Sequence, residues 1–296
     1  MASPPIPAKV EWLRAAETLA IAAVGGIALN WLGFPAGLVT GSLIGVAAAA
    51  LCGRPVFIPA SLTRVISVLV GISLGAVVSP QTLKGLAAFP LAVAVLTVST
   101  LGMIVATTSY LRFVHGWDWQ SALFGASPGA LAQVMTLAAE YRADLRAIAI
   151  VQTMRVVALT LGIPAGLAYF GLTVSGGGLM ARFIAAGPPS LPELAILVAV
   201  STLSALVVYR LRLPGGLMFG AMIASAILHG GGYIDAILPW WIAYAAVIGI
   251  GAVTGSRFAN TDPLTLLRFL GAALGSFAVA MAIAALSVLA DRKSVV

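Results

Sequence analysis

Charge is what this chain lacks. Only 8% of its 296 residues are charged, nine acidic and sixteen basic, where a soluble domain carries about 25%. So few cannot cover a water-facing surface, and the mean hydropathy of +1.08 says the same. The chain reads as a polytopic integral membrane protein. Its one cysteine, Cys52, excludes an intrachain disulfide and any thiolate metal cluster. Two histidines far apart, His115 and His229, leave little for a catalytic metal. No cleavable signal peptide is visible, because Met1–Val10 is rich in proline and the first apolar run is too long.

What is present is a series of apolar runs: Ala15–Trp31, Ala36–Cys52, Val65–Val78, Leu86–Leu111, Ile148–Phe170, Leu191–Val208, Gly215–Leu228, Ile237–Thr254 and Leu266–Leu289. Crossing the hydrocarbon takes about 20 residues of helix, so Val65–Val78 and Gly215–Leu228 are short. Short or interrupted segments at matching places in two halves point to a transporter's binding region. Trp119–Ala139 is only moderately apolar and is split by Ser127-Pro128-Gly129, as expected of a tilted span or a re-entrant hairpin.

The halves do match. Phe34-Pro35-Ala36-Gly37-Leu38-Val39-Thr40-Gly41 recurs as Leu213-Pro214-Gly215-Gly216-Leu217-Met218-Phe219-Gly220, offset by 179. Gly71-Ile72-Ser73-Leu74-Gly75 recurs as Gly251-Ala252-Val253-Thr254-Gly255, offset by 180, and Pro59 and Pro239 share that offset. Two motifs in one order at nearly one offset indicate a duplication. The net charge of +7 sits in the short connections, as cytoplasmic loops require. In the first copy these bases are Lys9 and Arg14, Arg54 and Arg64, then Arg112. In the second they move to the alternate connections, Arg210 with Arg212 and Arg257 with Arg268, while Asp235 replaces a base. Charges that change sides imply inverted copies, although Lys84 and Arg182 break the pattern. An odd number of crossings in the first copy favours Trp119–Ala139 as a hairpin returning to the cytoplasmic side, near Arg142 and Arg146.

Ser127 followed by Pro128 reads as a helix start. Inside a membrane such a start offers unpaired N–H groups to an anion; at the interface it is an ordinary cap. Gln152 and Arg155 lie three apart, hence on one helical face, and Arg155 lies roughly 14 Å along the helix from Arg146. An ionisable residue that deep marks a functional site by default; the alternatives are snorkelling or an ion pair with Glu140 or Asp144. No acidic residue falls at the centre of a span, which disfavours a cation or proton antiporter. A deep arginine, amide side chains and a helix start suit an anionic or zwitterionic solute. The Gly-x3-Gly pairs, among them Gly37, Gly41 and Gly45, Gly162 and Gly166, Gly216 and Gly220, and Gly271 and Gly275, read as helix-packing faces.

Ser127-Pro128-Gly129-Ala130-Leu131, the following Asp144, and Gln152-x2-Arg155 before Pro164 resemble the AbrB family of bacterial membrane proteins. That resemblance implies a duplicated segment whose copies carry a Pro-Gly-Gly motif, a downstream Asp and a Gln-x2-Arg helix; Ala130 stands here for the second Gly. Members carry the labels ammonia monooxygenase or regulator of gene expression, and the family is similar to inverted-repeat secondary transporters. A monooxygenase needs copper ligands that this composition cannot supply. A DNA-binding regulator needs a soluble basic module, and no stretch is long or polar enough.

The expected fold is an all-α bundle of two inverted repeats, about nine spans plus a re-entrant hairpin. Residues 1–14 form a cytoplasmic N-terminal segment, 15–170 the first repeat, 171–190 a linker and 191–290 a truncated second repeat. Residues 291–296 are expected to be a technical tail of a gene fragment, because the second Pro-Gly motif would fall at 306 or 307. The expected function is secondary transport across the bacterial cytoplasmic membrane, with a membrane sensor or regulator as the alternative and no enzymatic role. Ser127, Pro128 and Gly129 would hold the anion, Gln133 and Gln152 orient it and Arg155 neutralise it. Asp144, Gly71, Gly75, Gly251 and Gly255 are assigned structural or gating roles, and a purely structural role would leave Arg155 without a purpose. The lipid bilayer and a small-molecule solute are the expected partners, with no nucleic acid and no cofactor; homo-oligomerisation is left open.

Overall fold

In the computed structural model the described residues are 8–34, 36–81, 83–84, 90–127, 134, 138, 141, 143–169, 190–213, 215–259 and 263–294. Among them the chain is all-helical, with no strand. The described residues form ten α-helices: α1 (Ala8–Trp31), α2 (Gly37–Leu51), α3 (Ala60–Gly75), α4 (Pro90–His115), α5 (Trp119–Ala126), α6 (Leu145–Tyr169), α7 (Leu191–Arg210), α8 (Gly216–Gly230), α9 (Trp240–Gly255) and α10 (Pro263–Ser294). Five helical stretches are long and apolar enough to cross a membrane: Val10–Trp31, Ala94–His115, Leu191–Arg210, Trp240–Phe258 (α9 with the 3-10 turn that follows it) and Leu266–Leu286. Large apolar side chains such as Val24, Trp31, Leu96, Val98 and Leu203 stay exposed, as lipid-facing surfaces require.

The chain divides into two compact units, each drawn from both halves of the sequence: residues 1–80 with 160–262, and 81–159 with 263–296. In the first unit, α2 and α8 are each 15 residues and α3 and α9 each 16, with starts 179 or 180 apart. Their flanking residues match as well. Ala36 (φ 55°) and Gly215 (φ 65°) enter α2 and α8 in the left-handed conformation. Pro59 and Pro239 precede α3 and α9 with nearly equal dihedrals.

Packing repeats the correspondence. α2 lies against α1 and α9, while α8 lies against α7 and α3. Small residues set these distances: a Cβ on Gly71 would meet the Met218 carbonyl and, at 2.9 Å, Ala221. One on Gly251 would lie 2.9 Å from the Val39 carbonyl and 2.6 Å from Ser42 Cβ. Gly75 meets Met222 and Ser225; Gly255 meets Leu43 and Val46. Every partner in one set is the repeat equivalent of a partner in the other. Gly25 and Gly41 bring α1 onto α2 likewise, and Gly220 meets Ala205 on α7. Gly166, by contrast, has nothing against it within 4 Å, so it is no packing contact within the described chain.

Inside α6, Pro164 has no N–H to bond the carbonyl of Thr160 four residues earlier. The buried Thr40 hydroxyl on α2 donates to that carbonyl at 3.2 Å.

Candidate functional site

The second unit holds the residues expected to act. Asp118 caps α5 by accepting from the Ser121 N–H at 2.9 Å. Burial acts to raise its carboxyl, but bonds from the Ser121 N–H and hydroxyl and from the Asp118 and Gln120 N–H groups together hold it below its ordinary 3.8. α5 then stops after eight residues, about 12 Å, at the Pro-Gly step anticipated from the sequence. Ser127 follows with extended dihedrals (φ −60°, ψ 127°), and its hydroxyl donates back to the Leu123 carbonyl at 2.9 Å. Pro128, Gly129 and Gln133, the rest of the expected anion-holding start, lie outside the described residues.

Asp144 lies beside the start of α5. The Asp144 N–H donates to Ser121 Oγ at 2.7 Å, and the Asp144 carboxylate accepts from the Ala147 N–H at 3.0 Å, capping α6. From there α6 runs in the same sense as α5. Ile148 and Val151 bury their side chains, the latter against Leu111, Ala122 and Ala272. Three and seven residues beyond Ile148, on or near the same helical face, come Val151 and Arg155, with Gln152 between them.

Gln152 and Arg155 both reach the broken end of α5. The last carbonyls of a helix have no N–H partner within it. Gln152, 3% exposed, donates from Nε2 to the Phe124 carbonyl at 2.7 Å. Arg155 donates from Nη1 to the Ala126 carbonyl at 2.9 Å and from Nη2 to the Ser127 carbonyl at 3.1 Å. Its positive charge thus sits against the negative end of the α5 dipole. The expectation that a structural role leaves Arg155 idle is corrected by this geometry, since the guanidinium closes the helix end.

These two bonds use two of the five guanidinium N–H groups. Of the two alternative ion-pair partners Glu140 lies outside the described residues, and among these the one salt bridge joins Arg54 to Glu17 at 2.8 Å. The site is therefore a half-buried cation whose nearest acceptors are neutral carbonyls. Among the described residues it has no carboxylate to displace before meeting an anionic group. Among the described residues no cluster of three or more His, Cys, Asp or Glu could hold a metal.

Sequence reasoning placed Gln152, Arg155 and Ser127 together, and the structure brings them together. It missed Ser121, which ties the start of α6 to α5, and Asp118, whose spacing from Ser121 is a legible cap signal. It also missed the carbonyls of Phe124, Ala126 and Ser127, for which side-chain identity gives no cue.

Comparison with known proteins points the same way as the motif. Over 277 residues the chain is 26% identical to an Escherichia coli (strain K12) protein named "Putative regulator AbrB", covering 93% of this chain and 78% of that protein. No solved structure matches. The family model described as "Transition state regulatory protein AbrB" matches residues 38–291, most of the chain, which therefore belongs to the AbrB family.

Proposed function

We propose that this chain is a secondary transporter of a small anionic or zwitterionic organic solute, built as two inverted copies in a bacterial cytoplasmic membrane with its N-terminus inside. The observation that carries the reading is Arg155. It lies within an apolar helix, closes the end of a broken neighbour, keeps three N–H donors beyond those bonds, and has no carboxylate partner among the described residues. A cation kept in such a place is expensive unless it serves a ligand or pathway. In inverted-repeat transporters discontinuous helices line the solute site, N-terminal ends towards anionic groups and carbonyl ends towards cations; here the carbonyl end of α5 holds Arg155, whose spare N–H groups face the solute.

The hairpin reading is supported by the Ser121–Asp144 bond, which returns the chain to its starting level. The inverted-copy reading is supported by the matched helices and exchanged packing partners, together with the loop charges. With about nine crossings and the hairpin, the two copies would enter from opposite sides. Gln152 and Ser127 would orient the solute, with Pro128, Gly129 and Gln133 completing the site and Gly71, Gly75, Gly251 and Gly255 holding the scaffold it moves against. No reaction chemistry is proposed for the chain.

The test is uptake by proteoliposomes offered a labelled pool of carboxylates and amino acids. Accumulation above empty vesicles that disappears in Arg155→Ala is the expected result; wild-type vesicles that accumulate nothing contradict transport. The names of the family and of the Escherichia coli relative favour a second reading, a membrane regulator acting through a bound metabolite. Such a protein would bind from the same pool without accumulating it.

A further inference from the structure

We infer that the solute is a zwitterion, its carboxylate on Arg155 and its ammonium at the Gln152 amide oxygen and the carbonyl end of α5. This rests on the reading of the Arg155 site given above and narrows it.

The argument starts from which polar atoms are already used. A carbonyl can only accept, so the bond at 2.7 Å between Gln152 and the Phe124 carbonyl fixes the amide's orientation: Nε2 faces Phe124 and Oε1 faces the other way. Among the described residues Oε1 has no hydrogen-bond partner. Gln152 is nearly buried at 3% exposure, yet among the described residues the one fully enclosed side-chain atom without a partner is Ser201 Oγ, so Oε1 is not sealed off from a donor. What it offers an incoming solute is therefore an acceptor, which repels a carboxylate and attracts an N–H. A plain anion finds nothing useful there.

The second observation is the sign of the helix end. α5 presents its C-terminus, with the Phe124, Ala126 and Ser127 carbonyls turned to Gln152 and Arg155. That end carries roughly half a negative charge. A guanidinium beside it makes a site of two signs a few ångströms apart. A monoanion would satisfy Arg155 and face the carbonyl end unfavourably, whereas a zwitterion matches both. The bonds to Ala126 and Ser127 engage Nη1 and Nη2 once each, which leaves Nε–H and one N–H on each Nη for a carboxylate.

The experiment uses the full chain in lipid nanodiscs and needs no variant at first. Binding is measured for free α- and ω-amino acids, each paired with its des-amino carboxylate and its carboxamide. The expected result is at least one amino acid bound about 10- to 100-fold more tightly than both of its partners, the loss of one charge-assisted contact. Gln152→Lys keeps a donor for the Phe124 carbonyl but removes the acceptor, and should shift preference towards the des-amino acid. Gln152→Met should lower the preference without reversing it; if it does not fold, the wild-type ratios still decide. Des-amino acids that bind as well as the amino acids overturn the zwitterion and leave an anion site on Arg155 standing. If no member of any set binds, both readings fall.

Discussion

The two units solve opposite problems. In the first, helices meet through glycine and small side chains, and each contact has a counterpart at the equivalent place in the other copy. Gly71 and Gly75 of α3 bring its backbone against α8, and Gly251 and Gly255 of α9 do the same against α2, with no charge in either seam. In the second, a helix is cut short, and polar side chains from its neighbour supply the hydrogen bonds the backbone has lost. Packing by glycine gives close helix contacts that match at one sequence offset. Satisfaction by Gln152 and Arg155 leaves a cation on backbone carbonyls with N–H groups to spare.

Substitutions at the glycines should do the most damage. Gly71→Val and Gly251→Val each push a side chain into backbone at the facing helix, and overpacking of that kind costs about 1 to 3 kcal/mol or more. Both should lose detergent-stable, monodisperse protein to a similar extent, as measured by size-exclusion chromatography and thermal melting. A large effect at one and none at the other breaks the claim that the copies share a scaffold.

Arg155 should matter differently. Arg155→Ala removes donors from two carbonyls and should lower stability by about 1 to 3 kcal/mol, measured by thermal unfolding, besides abolishing solute binding. Arg155→Lys offers one ammonium in place of a planar fork; it should recover part of the stability and little of the binding. Full recovery of both contradicts a shared role for the guanidinium.

The α5 cap comes next. Asp118→Ala should cost about 1 kcal/mol near neutral pH. Because the folded carboxyl titrates below its ordinary value of 3.8, its contribution is complete above about pH 4 and is lost as pH falls through the folded value. The wild-type advantage in melting temperature should therefore shrink on acidification below about pH 4, and an advantage that grows there contradicts the assignment.

The smallest effect compares the entries to α2 and α8. Ala36 holds a left-handed φ of 55° where the second copy has Gly215. Ala36→Gly should stabilise by about 0.5 to 1 kcal/mol and Gly215→Ala should destabilise by a similar amount, read as opposite shifts in melting temperature.

How much of this was legible follows from where each signal resides. The helices were visible because apolar runs in a membrane chain leave few alternatives; the nine runs correspond in order to all the described helices except α5. The duplication was visible in Gly37–Gly41 and Gly216–Gly220 because close approach tolerates few residue types. The break after α5 was visible in Pro128, but its consequence was not: the Ala126 and Ser127 carbonyls are the same atoms in any residue, so no side-chain pattern marks them as partners of Arg155. The two-unit division was hidden for a related reason. It joins segments far apart in sequence through contacts that have no local signature, such as those of Gly71 with Met218 and Ala221.

If the chain transports as proposed, the end of α5 beneath Arg155 opens to water within the membrane and can be reached from both sides. In a Cys52→Ser background, Ser127→Cys can be treated with a membrane-impermeant thiol reagent in right-side-out and inside-out vesicles. Reaction from both faces, slowed by a bound solute, is the predicted result. Reaction from one face alone would favour a regulator that binds without moving its ligand, and a thiol inert from both faces would contradict the account.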